Sequence, residues 1–193
     1  MTQAKQQFQS FEEYLSYEDG TDRLYELFNG ELVEVPPESG ENASIAGFLF
    51  VHFALMLGHL RVRGHGLELE VRGEPKNRYP DLTILRSQEQ VEQLRQRNTV
   101  RLSMAPPLLV VEVVSPGEIQ RERDYIAKRL QYQDRGIPEY WIVDPQAETV
   151  LVLQWQAGVY RELSRVQGNE PIDSPMLGQV DLTATQIFAA RGT

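Results

Sequence analysis

The stretch Leu108-Leu109-Val110-Val111-Glu112-Val113-Val114-Ser115 constrains the fold of this chain more than any other part of it. Its apolar residues are continuous where a half-exposed strand would alternate, so it reads as a central strand covered on both faces. Glu112 stands in the middle of that run. An ionised carboxylate there is costly unless a metal, a cation or several hydrogen-bond donors compensate it. Upstream, Tyr79-Pro80-Asp81-Leu82-Thr83-Ile84-Leu85 places a second carboxylate at the mouth of another strand.

Turn and cap chemistry supplies the neighbouring elements. Ser10-Phe11-Glu12-Glu13 has the form of a capping box opening a short helix. Leu24 to Phe28, then Asn29-Gly30, then Glu31 to Val35 is a hairpin signal, because Asn-Gly supplies the positive φ angles of a type I′ turn. Pro36-Pro37 ends it. A largely apolar helix is expected from about Asn42 to Leu60, strands from Leu67 to Arg72 and from Asp81 to Leu85, and a polar helix from Gln88 to Arg97. Glu118 to Arg135 has helical spacing with Gly136 as its stop. Tyr140 to Pro145 reads as a buried strand and turn, Thr149 to Trp155 with Val159 to Leu163 as a hairpin, and Leu182 to Ala190 as a closing helix. This order implies an α/β fold with a central mixed β-sheet. It is expected as a single domain over residues 1–193, with a polar N-terminal tail to about residue 9.

Composition excludes several chemistries. There is no Cys, so disulfides, thiolate metal sites and cysteine nucleophiles are out. Met1 to Ser10 lacks the basic-then-apolar pattern of a secretory signal, and the most apolar stretch, Ile45 to Leu60, is interrupted by Gly47, His52, Gly58 and His59 and falls short of a membrane span. A cytoplasmic protein with no membrane partner is the expectation. The net charge of −9 argues against broad, non-specific nucleic-acid binding. The basic residues nonetheless cluster: His59, Arg61, Arg63 and His65; Arg72, Lys76 and Arg78; Arg121, Arg123, Lys128 and Arg129.

Carboxylates on neighbouring strands bind hard divalent cations such as Mg²⁺, which also take phosphate oxygens. Asp81 and Glu112 would form such a site if their strands lie side by side. A nearby ammonium would position a water and offset developing charge. Asp124, Lys128 and Tyr132 repeat every four residues and share one helix face, and Lys128 is the only Lys between position 77 and the C-terminus. Simpler roles fit other residues. Tyr125 and Tyr132 suit packing, His52 and His59 the core or its edge, Glu26 and Glu70 salt bridges, Asp144 a turn with Pro145, and Trp141 the core.

Taken together, Tyr25-Glu26-Leu27 with Asn29-Gly30-Glu31, Tyr79-Pro80-Asp81, Val111-Glu112-Val113 with Ser115-Pro116, Asp124, Lys128 and Tyr132, and Gly136-Ile137-Pro138-Glu139-Tyr140-Trp141 with Val143-Asp144-Pro145 resemble the Uma-two type of restriction endonucleases, a family of the PD-(D/E)XK nuclease superfamily. The resemblance covers roughly positions 10 to 190. It implies a restriction-endonuclease-like core and a metal-dependent DNA endonuclease. Asp81, Glu112 and the Val113 carbonyl would be metal ligands, Mg²⁺ the cofactor with Mn²⁺ as substitute, and DNA the partner. A homodimer would supply the two sites that two nicks in a duplex need. It also implies one departure: the superfamily lysine two positions after the glutamate is Val114 here, and Lys128 takes its place. Two alternatives stay open, a catalytically degenerate nuclease fold kept as a binding or regulatory module, and an RNA or small-molecule phosphodiesterase using the same site.

Overall fold

The computed structural model describes residues 7–192; of the expected polar tail, residues 1–6 lie outside the described part. In chain order the elements are α1 (Phe11–Leu15), β1 (Tyr25–Phe28), β2 (Glu31–Glu34), α2 (Gly40–Leu57), β3 (Val62–Gly64), β4 (Glu68–Glu70), β5 (Asn77–Arg78), β6 (Leu82–Ile84), α3 (Gln88–Gln93), β7 (Thr99–Val100), β8 (Leu109–Val113), α4 (Glu118–Glu122), a π-helical segment (Arg123–Lys128), α5 (Arg129–Arg135), β9 (Glu139–Asp144), β10 (Thr149–Gln156), β11 (Val159–Gln167), β12 (Pro171–Ser174), β13 (Gly178–Thr183) and α6 (Ala184–Ala189).

The centre is a six-stranded sheet in the order β11-β10-β9-β8-β6-β3. Strands β8 and β9 run parallel, with Val111 beside Trp141 and Glu112 beside Ile142. The other pairings are antiparallel, including β6 with β8, which sets Leu82 against Val111. This is the expected mixed α/β sheet. Its two faces follow from the two-residue period of a strand. Leu109, Val111 and Val113 of β8 point into one apolar layer with Ile45, Leu49 and Phe53 of α2 and Ile187 of α6. Val110 and Val114 point into the other, with Tyr132 of α5 and Tyr140 and Ile142 of β9. Glu112 shares the parity of this second set, so it faces the helix that follows its strand.

Several caps form as the sequence predicts. Ser10 opens α1 by accepting from the Glu13 N–H, and Asn29 and Gly30 take the positive φ values of the β1–β2 turn. Gly136, at φ 72°, stops α5 in the left-handed conformation. Other expectations are corrected. Helix α2 starts earlier and ends at Leu57, because Gly58 adopts φ 86° and a 3-10 turn over His59–Arg61 follows. The strand expected from Leu67 to Arg72 is β4, and it belongs to a separate three-stranded sheet, β5-β4-β7. The helix expected from Glu118 to Arg135 is interrupted by the π-helical segment. By length and composition α2 is apolar enough to cross a bilayer, contrary to the shortfall expected from Gly47, His52 and Gly58. In this fold its Ile45, Leu49 and Phe53 pack against the central sheet with no exposure.

Candidate active site

Glu112 is 1% exposed on the inner face of β8, and two donors from the next helix meet it. Lys128 donates from Nζ to Oε2 at 2.6 Å, and Tyr132 donates from Oη to Oε1 at 2.5 Å. Lys128 also lies 2.8 Å from Asp124 Oδ1. Lys128 and Asp124 fall within the π-helical segment, where the wider turn displaces residues from ordinary α-helical register. Burial raises the Glu112 carboxyl to about 7; Lys128 opposes the rise, while Asp81 and Asp124 add to it. At Lys128 the balance is reversed: burial favours the neutral amine, but Glu112, Asp124 and Asp81 together hold it charged beyond the usual lysine range. Three carboxylates thus surround the Lys128 ammonium, with Arg123 beside Asp124, and when all are ionised the cluster keeps a net negative charge.

Asp81, 6% exposed at the entry to β6, accepts from the Val113 N–H at 2.6 Å through Oδ2. Its other oxygen lies 3.6 Å from His65 Nδ1. Glu38, just before α2, completes a convergent group: one potential ligand atom from each of Glu38, His65 and Asp81 lies within 4.8 Å of the others. His65 Nδ1 is buried and has no hydrogen-bond partner. The Asp81 carboxylate holds the imidazole above its ordinary range, against the opposing effect of burial, and Glu38 and Glu112 contribute in the same direction. Burial, then the charge of Asp81, raises Glu38. Glu38, His65, Tyr79, Ser115, Arg123 and Lys128 line a cleft of about 260 Å³.

The structure therefore brings Asp81, Glu112 and Lys128 together, because β6 and β8 are neighbours and the helix crosses the face that Glu112 occupies. The Val113 carbonyl accepts from Asn42 Nδ2 at 3.1 Å, and the same amide donates to Ser115 Oγ at 3.0 Å. Val114 is buried between Val110, Tyr140 and Ile142, in the apolar layer on the Glu112 side. Tyr132 is more than packing, since it engages Glu112. Sequence reasoning singled out neither Glu38 nor Asn42, and placed His65 only in a basic group. Its one usable signal was His65 between two glycines, in the turn that joins β3 to β4.

Most of the expected basic residues are already paired with carboxylates or backbone carbonyls of the same chain. Arg61 donates to the Leu85 and Arg86 carbonyls, Arg72 pairs with Asp134, and Lys76 with Glu74. Arg78 forks onto both oxygens of Glu26. Arg121 pairs with Asp144, whose other oxygen caps the turn at Gln146 and Ala147. Glu70 pairs with Arg101, His52 bonds to the Val180 carbonyl, and Trp141 is fully buried.

With the geometry in place, comparison with known proteins gives one family. The family model Uma2, described as "Putative restriction endonuclease", matches residues 11–185. Among solved structures, the chain is similar to a "putative nuclease belonging to DUF820" from Anabaena variabilis, with a TM-score of 0.69 and 16% identity over 93% of this chain and 97% of that one. At that identity the likeness speaks for the fold. No curated protein matches.

Proposed function

From its membership of the Uma2 family of restriction-endonuclease-like nucleases, we propose that this chain is a divalent-metal-dependent DNA endonuclease with Asp81, Glu112 and Lys128 as its catalytic residues. The observation that carries the reading is Glu112, a fully buried carboxylate held by Lys128 on one oxygen and by Tyr132 on the other, on the strand beside that of Asp81, with Lys128 itself lining the adjoining cleft. The donor set fits a divalent cation: Asp81 and Glu112 offer oxygens, Glu38 lies beside Asp81, and the cluster carries uncompensated negative charge. When bound, such a cation supplies positive charge to the phosphate and lowers the pKa of a water.

The chain's own residues do the rest. The Val113 N–H fixes one Asp81 oxygen and leaves the other facing His65. Lys128 and Tyr132 together hold both oxygens of Glu112. Lys128, kept charged by three carboxylates, orients the attacking water and stabilises the phosphate oxygens as charge accumulates on them. The water oxygen bonds to phosphorus as the water gives up a proton to solvent, one P–O ester bond breaks, and the departing alkoxide takes a proton from solvent. Supercoiled plasmid should be cut with Mg²⁺ or Mn²⁺ and left intact with a chelator or in Asp81→Asn. RNA and small phosphodiesters should be poor substrates. Two cuts in a duplex would be made by a homodimer. The net charge of −9 favours one competing reading, a nuclease fold retained for binding alone. Metal-dependent cleavage in the wild type and none in Asp81→Asn excludes it.

A further inference from the structure

His65 is the one member of the convergent group that is not a carboxylate. It sits directly after β3, on the cleft wall opposite the helix that carries Lys128. Its Nδ1 is buried, takes no hydrogen bond within the protein and lies 3.6 Å from Asp81 Oδ1. That spacing is within ion-pair reach but too long for a hydrogen bond, so Asp81 is the nitrogen's partner in charge alone. Two donors of one tetrahedral ion, each bonded at about 2.1 Å, stand roughly 3.4 Å apart, close to the separation of His65 and Asp81, whereas an adjacent octahedral pair would have to close to about 3.0 Å. Glu38 completes the triangle within 4.8 Å.

The chemistry of that donor set separates metals. Mg²⁺ prefers hard oxygens and water, whereas imidazole nitrogen favours first-row transition ions, whose affinity for nitrogen sites rises from Mn²⁺ onward. We propose that His65 joins Glu38 and Asp81 as the nitrogen ligand of a site that takes a divalent first-row transition ion, Mn²⁺ included, in preference to Mg²⁺. The proposal rests on the nuclease reading above for the presence of a metal and goes beyond it in assigning the ligand and the preference.

The test uses Mn²⁺ and Mg²⁺ themselves on the full chain. Titration calorimetry should give a Kd for Mn²⁺ at least ~10-fold below that for Mg²⁺, the factor expected from one ligand being matched or mismatched. Pulsed electron paramagnetic resonance of the Mn²⁺ form should show coupling to an imidazole ¹⁴N. His65→Ala should lose the coupling and most of the Mn²⁺ affinity. His65→Asp, which puts an oxygen donor back, should still bind Mg²⁺ and lose the preference. The spectroscopic signature is read on the wild type, so a variant that fails to fold leaves the test intact. Mn²⁺ bound without nitrogen coupling, or an unchanged preference in His65→Asp, overturns the assignment. If that happens while plasmid is still cut, the nuclease reading stands alone; if neither ion binds and no cleavage occurs, both fall.

Discussion

At the scale of the residue, Glu112 sets the pH behaviour of the metal-free protein. Its carboxyl titrates near 7 in the fold against an ordinary value of 4.5. The unfolded chain therefore gives up this proton first, and stability falls as pH rises from about 4.5 through 7. Glu38, also raised, carries the same sign. So does His65, whose contribution is present below 6.5 and is lost as pH climbs through its raised folded value. Without metal, the melting temperature should drop between pH 5 and pH 8, by on the order of 1–3 kcal/mol of stability. Glu112→Gln should flatten the profile, and millimolar Mn²⁺ should restore stability at pH 8. A melting temperature that is level across that range would show that the buried carboxyl is not strained. Lys128→Ala should slow single-turnover plasmid cleavage by ~10²-fold or more while metal binding survives. Lys128→Arg should rescue little, because the planar guanidinium does not fit a pocket shaped around a point charge. Full activity in Lys128→Ala would take the ammonium out of the mechanism. Asp81, Glu112 and Lys128 were legible because each departs from its local pattern: a carboxylate in an apolar run, an acid after Pro80, a lone lysine on a helix. Glu38 and His65 lie in loops, where no period marks a residue as pointing inward.

At the scale of the element, the π-helical segment Arg123–Lys128 is the feature that the sequence hides. Such a segment amounts to one extra residue in a helix, and it costs hydrogen-bond geometry that a regular helix would keep. Its benefit here is placement: Lys128 reaches both Asp124 and Glu112 while Tyr132, one helical turn on, still packs against Tyr140. Deleting Ile126, whose side chain is 53% exposed, should regularise the helix and turn the residues before it by about 100° relative to α5. Circular dichroism melts should then show a fold as stable as wild type or more so, while cleavage falls to background. Retained cleavage would mean that the irregular turn has no part in the site. Long periodic segments, α2 and the helix spanning residues 118–135, were readable from their spacing. Strand β4 was read from the run Leu67 to Arg72, whereas β5 and β7 were missed, since two residues are too few to display alternation. The β12–β13 hairpin is missed for a related reason. It is tied down by Glu139, which accepts from Ser174 Oγ and the Met176 N–H, a contact between distant positions that local pattern does not encode.

At the scale of the whole molecule, much of the positive charge is already paired. With Arg61, Arg72, Lys76, Arg78 and Arg121 engaged by carbonyls or carboxylates, few cations face the cleft. DNA affinity should decline with salt at a log–log slope of only about −3, as expected for roughly three phosphate contacts. Arg123→Ala, removing a cleft-lining cation, should lower that slope by about one. A slope near −8 would place the DNA on a surface other than this cleft.

The topology has a further effect on when the centre can exist. Among the described residues, β8 and β9 form the only parallel pair of the central sheet, and the helix that carries Lys128 is the crossover between them. A parallel pair cannot close as a local hairpin; it must wait for the crossover to be made and for the second strand to arrive. During synthesis, a chain that has emerged only to Ser115 holds Glu38, His65, Asp81 and Glu112 but not the lysine that completes them. The lysine comes to rest only after β9 has docked beside β8. With Lys128 as the proposed catalytic ammonium, the chain would be unable to cut the nucleic acids around the ribosome until its own folding is nearly done.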